Sequence, residues 1–543
     1  MSAAAAAAAR AFNMRRRELV VGGALALGGA AAQAQTVLGA QPASATPAAP
    51  AAANPQKAWL DDKIGPDFSR IVIARWGDGV MPSAPPFNPT AMNTAQADGQ
   101  FPYDGVLAGM ISPPPAEDGI PRLVMVVATP DIPARMVFPS GQDQPLIAGR
   151  MQGVTVMNLE YLGGRWVTVD GGYQSRRLSD SVLCAISGPA ASQVGSTVQG
   201  ILAPAAGCAT PWGSALLAED HSAKWLKRLA NVGYGYGDPA QAARFGWLVE
   251  LKALDPNSIP VKRTALGRIP RGGVAATQTQ DSRPVVFFTE DAAAGALFRF
   301  VAATNATDGS ALDSGQLSVA QISGVNINWV NLGTDVPTLA GLAGAARAAG
   351  AEMFDSPGGL ALSADGSTLY MACSGNPDRT SPDALNPRAG DDNGHIVVFS
   401  IPGGDVTAST FGAGLALVAG NPATAQGTQY PDGSNCWLCK PRTLSLDKNG
   451  QLWIGTDQGG DTSQTADGLF ILPQDGPLQM AYLAPAGAAI GGAAFDPGTH
   501  TVFGMVRHPG ATPGASFFNP ATRWPTLRPN MPPQSTVVGL VSA

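Results

Sequence analysis

The feature that most constrains the fold is a hairpin pattern that recurs in the second half of the chain. Segments 359–370, 443–454 and 493–503 each contain an apolar run, an Asp/Gly turn and a second apolar run. This order predicts two antiparallel strands joined by a tight turn. Repeated hairpins are the units of β-propeller blades, and a propeller lets a chain of this length form one domain because each blade packs on its neighbours. A pair of β-sandwich domains is the alternative.

The composition agrees with a fold of short strands and many turns. Only 14% of the 543 residues are charged, whereas an average soluble domain has about 25%. Glycine and proline are abundant, at 66 and 46 residues, and only the short segment 339–349 has a helical pattern. We therefore predict an all-β protein with irregular insertions and short helices. The formal net charge of −6 argues against a nucleic-acid partner.

The N-terminus has the pattern of an export signal. Arg15, Arg16 and Arg17 precede a weakly apolar stretch, and 32–34 is a small-x-small cleavage pattern. This predicts a Tat signal peptide over residues 1–34, with the Tat translocon as a partner and a periplasmic or secreted product. Because residues 1–13 precede the arginines, Met14 is an alternative start.

The rest of the chain divides into a linker and one large domain. Residues 35–58 are rich in alanine and proline and are predicted to be a linker. Residues 59–543 are predicted to form the propeller domain. This part contains no apolar run long enough to span a bilayer, so we expect no stable membrane insertion after cleavage of the signal.

The chain has five cysteines, of which Cys436 and Cys439 form a CxxC motif. In an oxidising compartment some cysteines are expected to pair, and the odd number leaves at least one unpaired. A second cysteine pair at metal-binding spacing is absent from the sequence. We therefore predict a disulfide involving Cys436 and Cys439, with a redox pair or half of a zinc site as alternatives.

Several short elements, in conserved order, resemble the PhoX family of secreted alkaline phosphatases. They are RWGD at 75–78, RRLS at 176–179, GPAA at 188–191, TPWGS at 210–214, FGWLVE at 245–250, PVKRTALGR at 260–268, NPR at 386–388, GHI at 394–396, LWI at 452–454 and RHPG at 507–510. The chain looks like a divergent member of this family. The resemblance implies a six-bladed propeller whose central channel holds ferric and calcium ions and hydrolyses phosphate monoesters.

The resemblance also implies that most metal-ligand positions of the family are substituted here. By motif order they fall on Ala128, Ala205, 271–273 and 356–358, where the family's asparagine, cysteine, glutamates and arginine are lost. Two or three remaining carboxylates are too few for a multinuclear centre, which needs many oxygen ligands. The candidate metal ligands that remain are Glu219, Asp291, Cys208 and Asp457. Arg176 and Arg177 are candidates for phosphate binding, because guanidinium groups match phosphate geometry.

Three functions follow as hypotheses. The first is an exported phosphomonoester hydrolase with an altered metal site, containing iron and calcium if other loops rebuild that site. The second is a non-catalytic periplasmic propeller without these cofactors that binds a small-molecule ligand or a partner in its channel. The third is a calcium-dependent propeller lactonase. Whether the protein is an enzyme stays open at this stage.

Overall fold

The computed structural model describes residues 56–463, 465–496 and 498–542. The predicted signal peptide and residues 35–55 of the predicted linker lie outside the described residues. Gln56 packs on the domain, since it is buried and accepts a hydrogen bond from the backbone N–H of Trp437. Among the described residues, none of the helices is both long enough and apolar enough to cross a membrane.

The described chain is mainly β-structure, as the sequence predicts. The strands are Lys63–Ile64 (β1), Phe68–Arg75 (β2), Val106–Ile111 (β3), Arg122–Thr129 (β4), Gly153–Leu162 (β5), Arg165–Thr168 (β6), Arg176–Leu178 (β7), Leu183–Ser187 (β8), Thr197–Gln199 (β9), Pro204–Ala209 (β10), Ala215–Glu219 (β11), Leu248–Leu251 (β12), Val261–Arg263 (β13), Arg271–Gln278 (β14), Pro284–Glu290 (β15), Ala294–Gly295 (β16), Leu297–Ala302 (β17), Gly315–Ser323 (β18), Asn326–Asn331 (β19), Phe354–Asp355 (β20), Pro357–Leu362 (β21), Thr368–Cys373 (β22), His395–Ser400 (β23), Thr410–Val418 (β24), Pro441–Leu446 (β25), Leu452–Thr456 (β26), Gly468–Leu472 (β27), Gln479–Leu483 (β28), Ala489–Phe495 (β29), Thr501–Arg507 (β30) and Thr536–Ser542 (β31).

The helices are short and lie in the connections. The α-helices are Thr94–Gly99 (α1), Ala134–Val137 (α2), Pro145–Met151 (α3), Ala191–Val194 (α4), Ser222–Arg228 (α5), Val336–Ala340 (α6) and Leu342–Ala348 (α7). Single 3₁₀ turns occupy Pro239–Arg244, Thr264–Leu266, Ala311–Asp313 and Pro402–Gly404. The predicted helical segment 339–349 corresponds to the end of α6 and to α7.

The three predicted hairpins are confirmed as the antiparallel pairs β21–β22, β25–β26 and β29–β30. In each turn an aspartate carboxylate accepts a backbone N–H two or three residues further on. Asp365 accepts from Ser367 at 3.0 Å, Asp447 from Asn449 at 2.9 Å and Asp496 from Thr499 at 2.6 Å. These local bonds favour the turn over continued strand, which is why the Asp/Gly pattern marks the hairpins.

The sheets are built from antiparallel units of neighbouring strands. The strand orders of the five larger sheets are β3-β4-β5-β6; β10-β11-β12-β13-β8-β9; β14-β15-β17-β18-β19-β24-β23-β22-β21; β1-β28-β27-β26-β25; and β2-β31-β30-β29. In the first of these sheets β7 also pairs with β5. Strands β16 and β20 form a separate two-stranded sheet. The pairing of β8 with β13 is parallel. In the last four-stranded sheet β2 pairs with β31, so strands from the two ends of the described chain complete one sheet.

One strand of each unit contacts its counterpart in the next unit, and these contacts close a ring. The cyclic order is β3, β10, β14, β21, β25, β29 and back to β3. Glycines allow the ring strands to approach closely. A Cβ atom on Gly273 would lie 2.2 Å from the carbonyl oxygen of Gly358, and one on Gly491 would lie 2.2 Å from that of Gly105. The apolar side chains pack between adjacent sheets, as Trp453 and Tyr482 do against Val538.

Candidate functional site

The ring strands enclose a cavity of about 1060 Å³. Along much of its length the wall is apolar, because the ring strands present small or aliphatic residues. At the C-terminal ends of five ring strands the lining residues are Met110, Ala276, Leu362, Leu446 and Phe495. The charged lining residues lie toward the opposite end of the cavity.

The charged end forms because the second strand of each unit runs antiparallel to its ring strand and ends there. The residues at these ends are Asp131 after β4, Asp220 after β11, Asp291 after β15, Ser374 after β22, Asp457 after β26 and Arg507 at the end of β30. His221, next to Asp220, Lys440, which precedes β25, and Arg442, its second residue, complete the charged lining. The fold therefore gathers residues that are far apart in sequence at one end of the ring.

Four of these residues form a connected group that we call the Asp220 cluster: Asp220, His221, Asp291 and Arg442. The Nδ1 atom of His221 lies 2.7 Å from Oδ2 of Asp220 and 3.8 Å from Oδ2 of Asp291. Arg442 donates from Nη2 to Oδ1 of Asp291 at 2.9 Å. Oδ1 of Asp220 is buried and has no hydrogen-bond partner among the described residues.

The proximity of these charges changes how the cluster binds protons. Burial raises the pKa of Asp220 to about 6, and the charge of Asp291 adds to this. The hydrogen bond to Asp220 raises the pKa of His221. Burial alone would raise the pKa of Asp291, but the positive charge of Arg442 and its hydrogen bond lower it below the ordinary value. The pKa values of Asp220 and His221 are therefore both raised, while that of Asp291 is lowered, which favours its ionised form.

This arrangement predicts a change in the titration of His221. In EDTA-treated protein, Asp220→Asn is expected to lower the pKa of His221, because the main group that stabilises the imidazolium is removed. Proton NMR of the imidazole rings measures this directly, since the chain has only 4 histidines. The exposed His500 serves as the internal control. An unchanged titration of His221 in the variant would contradict the described contact.

Beside the cluster, Arg507 links two carboxylates. It donates from Nε and Nη2 to Asp104 at 2.7 and 3.0 Å, and from Nη1 to Asp457 at 2.8 Å. Burial opposes the charge of Asp457, but Arg507 and His508 lower the pKa of this carboxyl below its ordinary value. The charged end of the cavity thus contains a second ionised carboxylate held by a guanidinium group.

Of the metal ligands predicted from the sequence, Asp291, Asp457 and Cys208 line this cavity. The carboxylates of Asp291 and Asp457 lie at its charged end, each in contact with an arginine. Cys208 lies in the ring strand β10, and burial raises the pKa of its thiol to about 12. In the absence of a metal, Cys208 is therefore a protonated thiol at neutral pH.

Glu219 is placed elsewhere. Its side chain is fully buried, and Oε1 accepts a 2.7 Å bond from Nζ of Lys262, which is also fully buried. The backbone N–H groups of Leu202 and Gly246 donate to its two oxygens, each at 2.9 Å. Glu219 does not line the cavity. Both oxygens of the Glu219 carboxylate are therefore bound by groups in the protein interior, and Glu219 forms a structural ion pair with Lys262.

Arg176 and Arg177 are also placed away from the cavity lining. Arg176 donates to the carbonyl oxygens of Pro256 and Ser258 at 2.8 and 2.9 Å. Arg177 donates to the carbonyl oxygens of Arg150 and Met151. The guanidinium groups thus tie strand β7 to neighbouring loops, and the structure does not bring them together with the predicted metal ligands.

Cys436 and Cys439 are both buried and carry thiol groups in the structure. The thiol of Cys436 donates to the carbonyl oxygen of Leu478 at 3.3 Å, and that of Cys439 to Oδ1 of Asn393 at 3.4 Å. The disulfide between them stays a prediction.

The sequence analysis did not select most of the charged lining. The lining residues outside the predicted ligand set are Asp131, Asp220, His221, Lys440, Arg442 and Arg507. The sequence does contain a pattern that could have identified the aspartates. Each of them follows a buried strand by one or two residues, as Asp131, Asp220, Asp291 and Asp457 do. Arg442 does not follow this pattern, because it lies at the beginning of a strand.

The donor atoms of the Asp220 cluster suit one cation. One ligand atom each from Asp220, His221 and Asp291 lie within 4.8 Å of one another, and the buried Oδ1 of Asp220 lacks a partner. Carboxylate and imidazole ligands of this kind hold divalent cations. Within the described part of the chain, this is the group of three ligand residues that lines the cavity. The set does not fit a multinuclear cluster of iron and calcium, which needs many more ligands.

Comparisons with known proteins agree with this architecture. The family model described as alkaline phosphatase PhoX matches residues 51–510. The structure resembles Pseudomonas fluorescens PhoX, solved in complex with vanadate, a transition state analogue. That match has a TM-score of 0.80 and 24% sequence identity, and it covers 90% of this chain and 97% of the other.

A gluconolactonase from Xanthomonas campestris matches with a TM-score of 0.31 and 12% identity, over 81% of this chain and 97% of the other. This similarity is too low to carry an argument. The comparison with curated protein sequences gives no match.

Proposed function

The chain belongs to the PhoX family of alkaline phosphatases, and we propose that it is an exported phosphomonoester hydrolase that uses one divalent cation at the Asp220 cluster. The observation that carries this proposal is the set of three ligand atoms within 4.8 Å of one another, beside Arg442 at the charged end of the cavity. The substrate class is a small phosphate monoester.

We also propose that the fold is a six-bladed β-propeller and that the protein reaches the periplasm through the Tat translocon. The closed cyclic order of the six ring strands supports the first statement. The paired arginines and the cleavage pattern in residues 1–34 support the second.

The charge balance of the cavity explains why a cation is needed. Four carboxylates at this end, those of Asp104, Asp220, Asp291 and Asp457, face Lys440, Arg442, Arg507 and His221. The remaining lining aspartate, Asp131, is paired with Lys224 at 2.8 Å. A phosphate ester dianion would therefore enter a cavity whose basic groups are already offset by carboxylates, so little net positive charge is left to bind it. Asp220, His221 and Asp291 would hold a divalent cation there, which would supply charge to neutralise phosphoryl oxygens and would lower the pKa of a bound water.

Arg442 then binds and orients the phosphate group. Among the described contacts, one nitrogen of Arg442 is engaged by Asp291, which leaves N–H groups of its planar fork for phosphate oxygens. Asp291 holds this guanidinium in place and keeps its own charge, since its pKa is lowered. Lys440 adds a flexible positive charge at the same end of the cavity.

The experiment is a reconstitution assay with Asp291→Asn. EDTA-treated protein is supplied with Ca²⁺, Zn²⁺, Mn²⁺ or iron, and hydrolysis of p-nitrophenyl phosphate is followed. Wild-type protein is expected to turn over with at least one cation, and the variant to lose about 100-fold or more in kcat/KM, as expected when an electrostatic group at the reacting centre is removed. The exposed Asp67→Asn is the matched control and should retain full activity.

A non-catalytic member that binds a phosphate ligand is the second candidate. It is favoured by the pairing of Arg507 with Asp104 and Asp457, which leaves this arginine with internal partners before any ligand binds. Cation-dependent phosphate binding without turnover under every cation tested would support this candidate. Turnover that is equal in wild-type protein and Asp291→Asn would contradict the proposed site.

A further inference from the structure

A second group of ligand side chains lies behind the cavity wall. Asp355 ends β20, His395 begins β23, and Asp391 lies in the loop that precedes β23. We call this group the His395 cluster. The exposed fractions of Asp355, Asp391 and His395 are 0%, 2% and 0%, so solvent does not satisfy their polar atoms.

The polar atoms of this cluster converge but do not bond to one another. One oxygen of each aspartate and one ring nitrogen of His395 lie within 4.8 Å of one another. Nδ1 of His395 is 3.6 Å from Oδ2 of Asp391, which is too long for a hydrogen bond. Neither ring nitrogen of His395, nor Oδ2 of Asp355, nor Oδ2 of Asp391 has a hydrogen-bond partner among the described residues.

The other oxygen of each aspartate is occupied, so the two carboxylates are fixed in place. Oδ1 of Asp355 accepts from Nε of Arg379 at 2.6 Å. Oδ1 of Asp391 accepts from the backbone N–H groups of Asn393 and Gly394 at 2.9 and 3.1 Å, and it forms an ion pair with Nη2 of Arg388 at 2.9 Å. The protein therefore holds the two free oxygens toward the imidazole.

Leaving these atoms unsatisfied is costly. Each buried polar group without a partner destabilises the folded state, and more so when it is charged. The local charge also lacks compensation, because Asp355, Asp391 and Asp383 face two guanidinium groups, those of Arg379 and Arg388. A bound cation would satisfy both free oxygens and one ring nitrogen, and it would supply the missing positive charge.

We propose that Asp355, Asp391 and His395 bind one structural divalent cation, separate from the cation at the Asp220 cluster. Two carboxylate oxygens and one imidazole nitrogen in a closed, buried site are a donor set that Zn²⁺ accepts. The site would be structural, because its three side chains do not line the cavity.

The position of the cluster indicates how a bound cation would affect the cavity wall. Asp355 precedes Ser356, and Cys373, the strand partner of His395, precedes Ser374; both serines line the cavity. The next ring strand is close, since a Cβ atom on Gly358 would lie 2.8 Å from the carbonyl oxygen of Arg442. A cation that joins β20 to β23 would thus fix the wall against which Arg442 is packed.

The test is a calorimetric titration of the EDTA-treated full chain with Zn²⁺. Asp291→Asn is expected to bind one equivalent, and the double variant Asp291→Asn/His395→Gln to bind none. In the Asp291→Asn background, Zn²⁺ should raise the melting temperature, and His395→Gln should abolish that increase. If His395→Gln binds as many equivalents as its parent, the proposal is overturned. Because the parent already lacks Asp291, this result is independent of the cavity site.

A second measurement covers the case in which His395→Gln does not fold. Crystals of wild-type protein grown with Zn²⁺ are expected to show an anomalous peak at the zinc edge between Asp355, Asp391 and His395. A folded, zinc-treated protein without this peak would overturn the proposal. So would a nitrogen NMR spectrum that shows His395 doubly protonated in the presence of Zn²⁺, since an imidazolium then supplies the positive charge.

Discussion

Replacing Lys262 with methionine is expected to lower the free energy of unfolding by about 3–5 kcal/mol. The substitution removes the 2.7 Å partner of Glu219 and leaves a carboxylate in a fully buried position. Two backbone N–H groups still donate to this carboxylate, but they do not cancel its charge. Urea denaturation followed by tryptophan fluorescence measures the loss.

The double variant Glu219→Gln/Lys262→Met is the control. It removes both charges, so part of the lost stability should return. The recovery is incomplete because the glutamine amide has one acceptor oxygen, whereas backbone N–H groups donate to both oxygens of Glu219. The same protein tests the role of Glu219 as a metal ligand. We expect its cation content to equal that of wild-type protein. A specific loss of cation from the folded double variant would show that Glu219 does serve the metal site.

Replacing Arg442 with alanine is expected to lower kcat/KM for p-nitrophenyl phosphate by about 10²–10³-fold. The change removes a guanidinium group at the charged end of the cavity and also the partner that holds Asp291. Arg442→Lys keeps a positive charge but not the planar fork, so its loss should be smaller. Steady-state kinetics of the cation-loaded proteins gives both values.

Two controls separate this effect from a general loss of charge or fold. Arg165 is exposed and outside the cavity, so Arg165→Ala should retain wild-type kinetics. Substitution of Arg176 should lower stability more than phosphate affinity, because its guanidinium bonds to internal carbonyl groups. An Arg442→Ala protein with unchanged kcat/KM would exclude this arginine from phosphate binding.

The hairpins could be predicted because their signals are local. The aspartate of each turn bonds to a backbone group two or three residues away, so the pattern and its cause lie in the same short segment. The family resemblance rests on motifs of the same kind. Most of these motifs fall in strands and turns that carry the scaffold, which is why the family could be identified while much of the site could not.

The site was harder to predict because it depends on side-chain direction and on distant contacts. Glu219 and Asp220 are adjacent, but successive strand residues point to opposite sides, so one faces the interior and the other the cavity. Lys262, which determines the environment of Glu219, is 43 residues away. Arg442 meets Asp291 across 151 residues, and only closure of the ring brings them together.

The central claim is that a cation at the Asp220 cluster makes this cavity a phosphate site. Titration of inorganic phosphate into EDTA-treated protein, with and without an added divalent cation, tests it most directly. The account predicts phosphate binding only in the presence of the cation, and loss of that binding in Asp291→Asn. Phosphate binding of equal affinity without the cation, or unchanged binding in Asp291→Asn, would contradict it.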